Sequence, residues 1–146
     1  MSEQLRIKLL REGVATPERA HSGDAGFDLR TAVDFTLKPG QRDRVPTGIA
    51  LELPDHLCAL VLPRSGLANK HGIALVNAPG LIDSGYRGEL QVLLLNTDRT
   101  ESFSAKAGER IAQLVLIEPR TPELQVVEEL ADSERGSGGF GSSGTH

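Results

Sequence analysis

Asp83-Ser84-Gly85 lies between apolar residues in NAPGLIDSGYRGEL, residues 77–90, and puts a carboxylate on a turn-forming triplet. Held on a rigid turn, a carboxylate can take a proton from water; it can equally do no more than cap the turn. The same stretch carries an amide, Asn77, and Tyr86, the only tyrosine in the chain. Upstream, PRSGLA at 63–68 follows an apolar run and offers Arg64, Ser65 and the backbone N–H groups of a Ser-Gly turn. A guanidinium fork, a hydroxyl and a close-approach glycine suit the oxygens of a phosphate chain, although P-R-S-G alone reads as a strand-ending turn with an exposed arginine. SGDAGFDLR at 22–30 sets Asp24 and Asp28 around a glycine turn. Carboxylates there can hold Mg²⁺, with waters and phosphate oxygens completing its shell; Asp24 reads as turn chemistry. In GERIAQLV, residues 108–115, Gln113 interrupts an apolar strand. A buried amide needs partners, so it binds either substrate or backbone.

Two patterns lead nowhere. Gly136-Ser137-Gly138-Gly139-Phe140-Gly141 spells G-x-G-x-x-G, but a dinucleotide fingerprint needs a strand before it and a helix after it, and the sequence stops five residues later. The histidines at 21, 56, 71 and 146 show no metal-ligand spacing, and no H-E-x-x-H or paired C-x-x-C is present.

The elements that must position these groups are short apolar runs: LRIKLL (5–10), VDFTL (33–37), GIALEL (48–53), HLCALVLP (56–63), GIALV (72–76), ELQVLLLN (89–96), ERIAQLVLIEP (109–119) and LQVV (124–127). KPG, LPD, APG, DSG and AGE punctuate them, a spacing that predicts an all-β sandwich or barrel. SGLANKHG, at 65–72, is the one place with room for a short helix, and 77–90 reads as a hairpin. LCALVL and QVLLL are apolar on both faces, which predicts cover on both sides and, in so small a chain, a subunit interface.

A length of 146 residues fits one domain. With aromatics at 3%, the core must rest on aliphatic side chains, and the single cysteine, Cys58, reads as one of its small members. No apolar run approaches a bilayer span and no secretory h-region opens the chain, which favours the cytoplasm. A net charge of −4 argues against a non-specific nucleic-acid binder. It leaves room for an anionic small substrate in a local positive pocket. The last dozen residues, RGSGGFGSSGTH, have no periodicity to bury and predict a mobile arm. Its one cation and one ring, Arg135 and Phe140, could close over a ligand.

In order and separation, DAGFDL, PRSGLA, NAPGLIDSGYRGEL, GERIAQLV and RGSGGFGSSG resemble the five motifs of the trimeric dUTPase family, from about Ile7 to Gly144. The resemblance implies a distorted jelly-roll β-barrel over residues 1–131, a flexible C-terminal arm over 132–146, and three active sites shared in a homotrimer. It implies hydrolysis of dUTP to dUMP and pyrophosphate by water attack on the α-phosphorus, which limits uracil in DNA and supplies dUMP for thymidylate synthesis. Asp28 would help hold Mg²⁺ on the triphosphate, largely through water. Arg64, Ser65 and Gly66 would contact the phosphate chain, and Gln113 a phosphate and a metal-bound water. Asn77 and the backbone at Leu81, Ile82 and Asp83 would form the uracil pocket, with Gln91 a weaker candidate. Asp83 would orient and deprotonate the water, and Tyr86 would pack under the deoxyribose. From the arm, Arg135 would bind the γ-phosphate, Phe140 would stack on uracil, and Gly141, Ser142 and Ser143 would add phosphate contacts. The nearest rival, dCTP deaminase, shares the fold and the P-R-S segment, but its deaminating members lack the tyrosine-bearing segment and the Gly-rich fifth motif. A binding protein without turnover would have no use for Asp83, and a plain structural β-protein would leave the five motifs unexplained.

Overall fold

A computed structural model describes residues 3–144. In chain order the elements are β1 (Arg6–Leu9), β2 (Phe27–Arg30), β3 (Phe35–Leu37), β4 (Arg42–Pro46), β5 (Ile49–Glu52), β6 (Cys58–Leu62), α1 (Ser65–His71), β7 (Ile73–Leu75), β8 (Gly80–Ile82), β9 (Gln91–Asn96), β10 (Phe103–Ala105) and β11 (Arg110–Ile117). Among the described residues every strand pairing is antiparallel, in sheets β2-β11-β6-β8, β4-β9-β7, β1-β5 and β10-β3. The all-β reading holds, and the architecture is consistent with a jelly-roll barrel.

One core cluster draws on all four sheets and is aliphatic throughout, with Leu29, Leu37, Ile49, Ile73, Leu94 and Ile111 at its centre. Cys58 is buried, as expected of a small core residue. The buried Asn96 is fully partnered. Its Nδ2 donates to the carbonyls of Leu37 and Glu101, and its Oδ1 accepts the Asp98 N–H. Asp98 in turn accepts the N–H groups of Thr100 and Glu101, which hold its carboxyl below its ordinary pKa.

Four elements depart from the sequence reading. β10 lies outside the predicted apolar runs, and its pairing with β3 defines it. LQVV at 124–127 is not a strand: it has no ladder partner among the described residues, and Leu124 and Val126 are 94% and 98% exposed. Its apolar side chains find no sheet edge within their own chain. Residues 77–90 do not form a hairpin, because β8 pairs with β6 while the following strand, β9, belongs to another sheet. The turn after β8 therefore crosses between sheets. Finally, β4 is a strand despite the composition RDRVP. Only Val45 is buried, so no alternation marks it, and its register against β9 holds it in place. In β6 and β9, Leu60, Leu62, Leu93 and Leu95 are only partly covered by the chain itself.

Candidate functional site

The predicted site residues fall into three groups. The first gathers on β2, β11 and the β6–α1 junction. Asp28 stands opposite Gln113 in the β2–β11 register, and Gln113 opposite Leu62. Asp28, Asp24 and Gln113 line a cavity of about 470 Å³. The carboxylate of Asp24 accepts the His21 N–H at 2.9 Å, the turn role expected of it. Gln113 satisfies the backbone with one end, Nε2 donating to the Pro63 carbonyl at 3.0 Å. Its other end lies over Gly26, where a Cβ would stand 2.8 Å from Oε1, so a side chain at that position would push the amide aside.

Arg64 precedes α1 in extended conformation, and no side chain caps the helix. The first-turn N–H groups therefore remain for other acceptors, such as oxygens near Ser65 and Gly66. An Arg64 Nη1 donates to the Arg110 carbonyl at 3.4 Å, and Arg110 reaches the Asp28 carboxylate at 3.6 Å. Arg30, Arg64, Arg110 and His71 line an adjoining cavity of about 480 Å³, shared with one acid, Glu109. A local positive surface thus exists on a chain of net charge −4. The sequence had not pointed to Arg110; only the β2–β11 pairing sets it beside Asp28. Among the described residues no group of three or more His, Cys, Asp or Glu could hold a metal alone. One or two carboxylates with open volume beside phosphate-binding groups is the arrangement Mg²⁺ uses with a nucleotide.

The second group follows β8. Leu81, Ile82, Asp83, Tyr86 and Gln91 line one cavity of about 260 Å³, together with Arg44, Glu89, Leu90 and Leu93. Asn77 lies just behind it, its amide 3.4 Å from where a Cβ on Gly80 would stand. Asp83 is exposed to solvent. Its turn is closed by the Tyr86 N–H bonding the Asp83 carbonyl, and Arg87 donates to the carbonyls of Ser84 and Tyr86.

The third group is the arm. Phe140 is fully exposed, and among the described residues the Arg135 side chain bonds only the carbonyl of Gly138. The arm's other hydrogen bonds within that range are equally local, such as Ser142 to Gly139.

On a single chain the first two groups line separate cavities. Gln113 pairs with Leu62, whereas Ile82 pairs with Ala59, three residues further along β6 and on its other side. At usual strand dimensions the backbone at Ile82 is roughly 14 Å from that at Gln113, too far for one small contact to bridge.

The dUTPase family model matches residues 12–144. The chain is 51% identical to the deoxyuridine 5'-triphosphate nucleotidohydrolase of Thermobifida fusca, over 98% of this chain and 80% of the relative. It is 50% identical to that of Rhodococcus erythropolis, over 100% and 90%. The structure superposes on Staphylococcus bacteriophage 80alpha dUTPase with dUpNHpp at a TM-score of 0.92, with 34% identity, covering 99% of this chain and 100% of the other. A mutant dUTPase of phage phi11, described with a structural Mg(II) ion, gives 0.83 at 28% identity, covering 89% of this chain and 100% of the other.

Proposed function

The chain belongs to the dUTPase family and hydrolyses dUTP, and on that premise we propose that its three groups of site residues form one composite site, completed between chains of a homotrimer. The observation that carries this reading is the separation of the Asp28–Arg64–Gln113 cluster from the Asp83–Tyr86 cavity on one chain. The half-covered outer faces of β6 and β9 and the exposed Leu124, Val126 and Leu130 give the association apolar surface to bury.

In the assembled site the uracil enters the pocket of Asn77, Leu81, Ile82 and Gln91, where a fixed backbone matches its donor–acceptor edge and leaves cytosine with unpaired groups. Mispairing of that kind supports discrimination of roughly 10⁴–10⁵. Tyr86 packs under the deoxyribose and leaves no room for a 2′-OH. Arg64, Ser65 and Gly66 bind the phosphate chain with Gln113, and Arg135 binds the γ-phosphate. Asp83 orients a water and takes its proton as the oxygen bonds to the α-phosphorus; the bond to the bridging oxygen breaks, and pyrophosphate leaves with the electron pair. Asp28, with Gln113, would hold Mg²⁺ largely through water, and the ion supplies neutralisation of triphosphate charge. Phe140 stacks over the uracil while Gly141, Ser142 and Ser143 bring further donors, so the 132–146 arm acts as a lid that excludes other water. Residues 145 and 146 of that arm lie outside the described residues. Removal of dUTP from the free nucleotide pool in the cytoplasm would limit uracil in DNA and supply dUMP for thymidylate synthesis.

Mixing variants tests the shared site. Asp83→Ala chains and chains truncated before Arg135 should each be nearly inactive homotrimers, and co-refolding the two should restore pyrophosphate release. No recovery in mixed assemblies, or a monomer by light scattering, would overturn the composite site.

A further inference from the structure

We propose that Gly88 and the Arg11–Glu89 ion pair are positioning residues: they hold the Tyr86 ring against its own loop and thereby set the preference for deoxyribose over ribose. The inference rests on Tyr86 being the surface under the sugar. A tyrosine that is 47% exposed would ordinarily change rotamer on the picosecond-to-nanosecond scale. A ring that excludes one hydroxyl must instead stay put to within a fraction of an ångström.

Three observations show how it is held. A Cβ on Gly88 would stand 2.5 Å from the Tyr86 hydroxyl oxygen, 2.7 Å from Cζ and 3.1 Å from Cε2. The ring therefore lies across Gly88 at a distance that no residue with a side chain permits. At its far end the hydroxyl donates to the Glu89 carbonyl at 3.0 Å. Glu89 is itself gripped by Arg11, whose Nε and Nη2 donate to the two carboxylate oxygens at 3.1 and 3.2 Å from 78 residues away in sequence. Such a fork fixes orientation as well as distance. The Glu89 side chain is only 17% exposed, and the next residue is locked in both directions: the Leu90 N–H donates to Ile49, and its carbonyl accepts from Thr47. Ring, hydroxyl, carbonyl, carboxylate and guanidinium thus form one chain of contacts ending on the loop after β1, where no motif lies.

The test compares kcat/KM for dUTP and for UTP, with Mg²⁺, on the full chain and on Tyr86→Ala, Gly88→Ala, Arg11→Ala and Arg11→Lys. Gly88→Ala should lower the dUTP-over-UTP preference roughly tenfold or more while kcat on dUTP stays within about threefold, the split expected of lost sugar discrimination. Arg11→Ala should lower it by about threefold, with Arg11→Lys recovering part of that by keeping one of the two contacts. A general loss of stability would move kcat for both substrates together and leave their ratio unchanged. Should Gly88→Ala fail to fold, the surface Arg11 pair still decides the question. A preference lost in Tyr86→Ala yet intact in Gly88→Ala and Arg11→Ala sinks the positioning role alone. An intact preference in Tyr86→Ala removes the reading of the ring, and the positioning role with it.

Discussion

The segment from Asn77 to Gln91 and the arm after Asp132 each carry several groups proposed to touch one nucleotide, and they are held in opposite ways. The first is bound on every side: β8 to β6, Arg87 across its turn, Leu90 to Ile49 and Thr47, Glu89 to Arg11. The arm, over its described residues, makes only local hydrogen bonds and leaves Phe140 in solvent. Discrimination between nearly identical nucleotides needs groups already in place, because a pocket that relaxes around the wrong substrate no longer rejects it. Enclosure needs the reverse, since a lid must admit a triphosphate and release its products. Substitutions should therefore separate selectivity from closure, and fold stability should respond in one region only.

The largest effect is expected at Asp83: Asp83→Ala should lower dUTP turnover by roughly 10²–10⁴-fold, the range for loss of a general base, with unchanged circular dichroism. Measured pyrophosphate release within a few-fold of the intact protein would assign the proton to another group. Truncation before Arg135 comes next, with a fall of about 10²-fold from lost charge stabilisation and closure, and a melting temperature essentially unmoved. Full turnover in the truncated chain would end the lid reading. Asn96→Ala acts on stability alone. It strips the carbonyls of Leu37 and Glu101 of their buried donor and should cost about 1–3 kcal/mol in denaturant unfolding, with kcat preserved. Smallest is Asp98→Asn. Because the folded-state pKa of Asp98 is lowered, its contribution exists above the unfolded value and disappears as pH falls through the folded one. The stability difference between the intact protein and the Asp98→Asn variant should therefore narrow below about pH 4. A gap that stayed constant through the acid range would show that the turn does not depend on that charge.

Much of the barrel was legible because most of its strands are apolar runs closed by Gly, Pro and Asp turns. β4 was hidden, since Val45 alone is buried and a single inward residue makes no pattern. LQVV misled for the converse reason: its composition suits a strand, but pairing depends on a free edge, which composition does not contain. The crossing at 83–90 was misread as a hairpin because local turn chemistry is the same whether the chain returns to the same sheet or passes to the next.

By itself the sequence determined the chemistry available: which carboxylates, guanidiniums and amides exist, and the turns on which they sit. Those properties depend on residue type and near neighbours. Only the tertiary structure decided that Asp28 meets Gln113 and Arg110, that Arg11 grips Glu89, and that the Asp28–Gln113 cluster and the Asp83–Tyr86 cavity stand apart on one chain. Such pairings are set by strand register and by burial of distant apolar residues in a common core, and no local spacing encodes them.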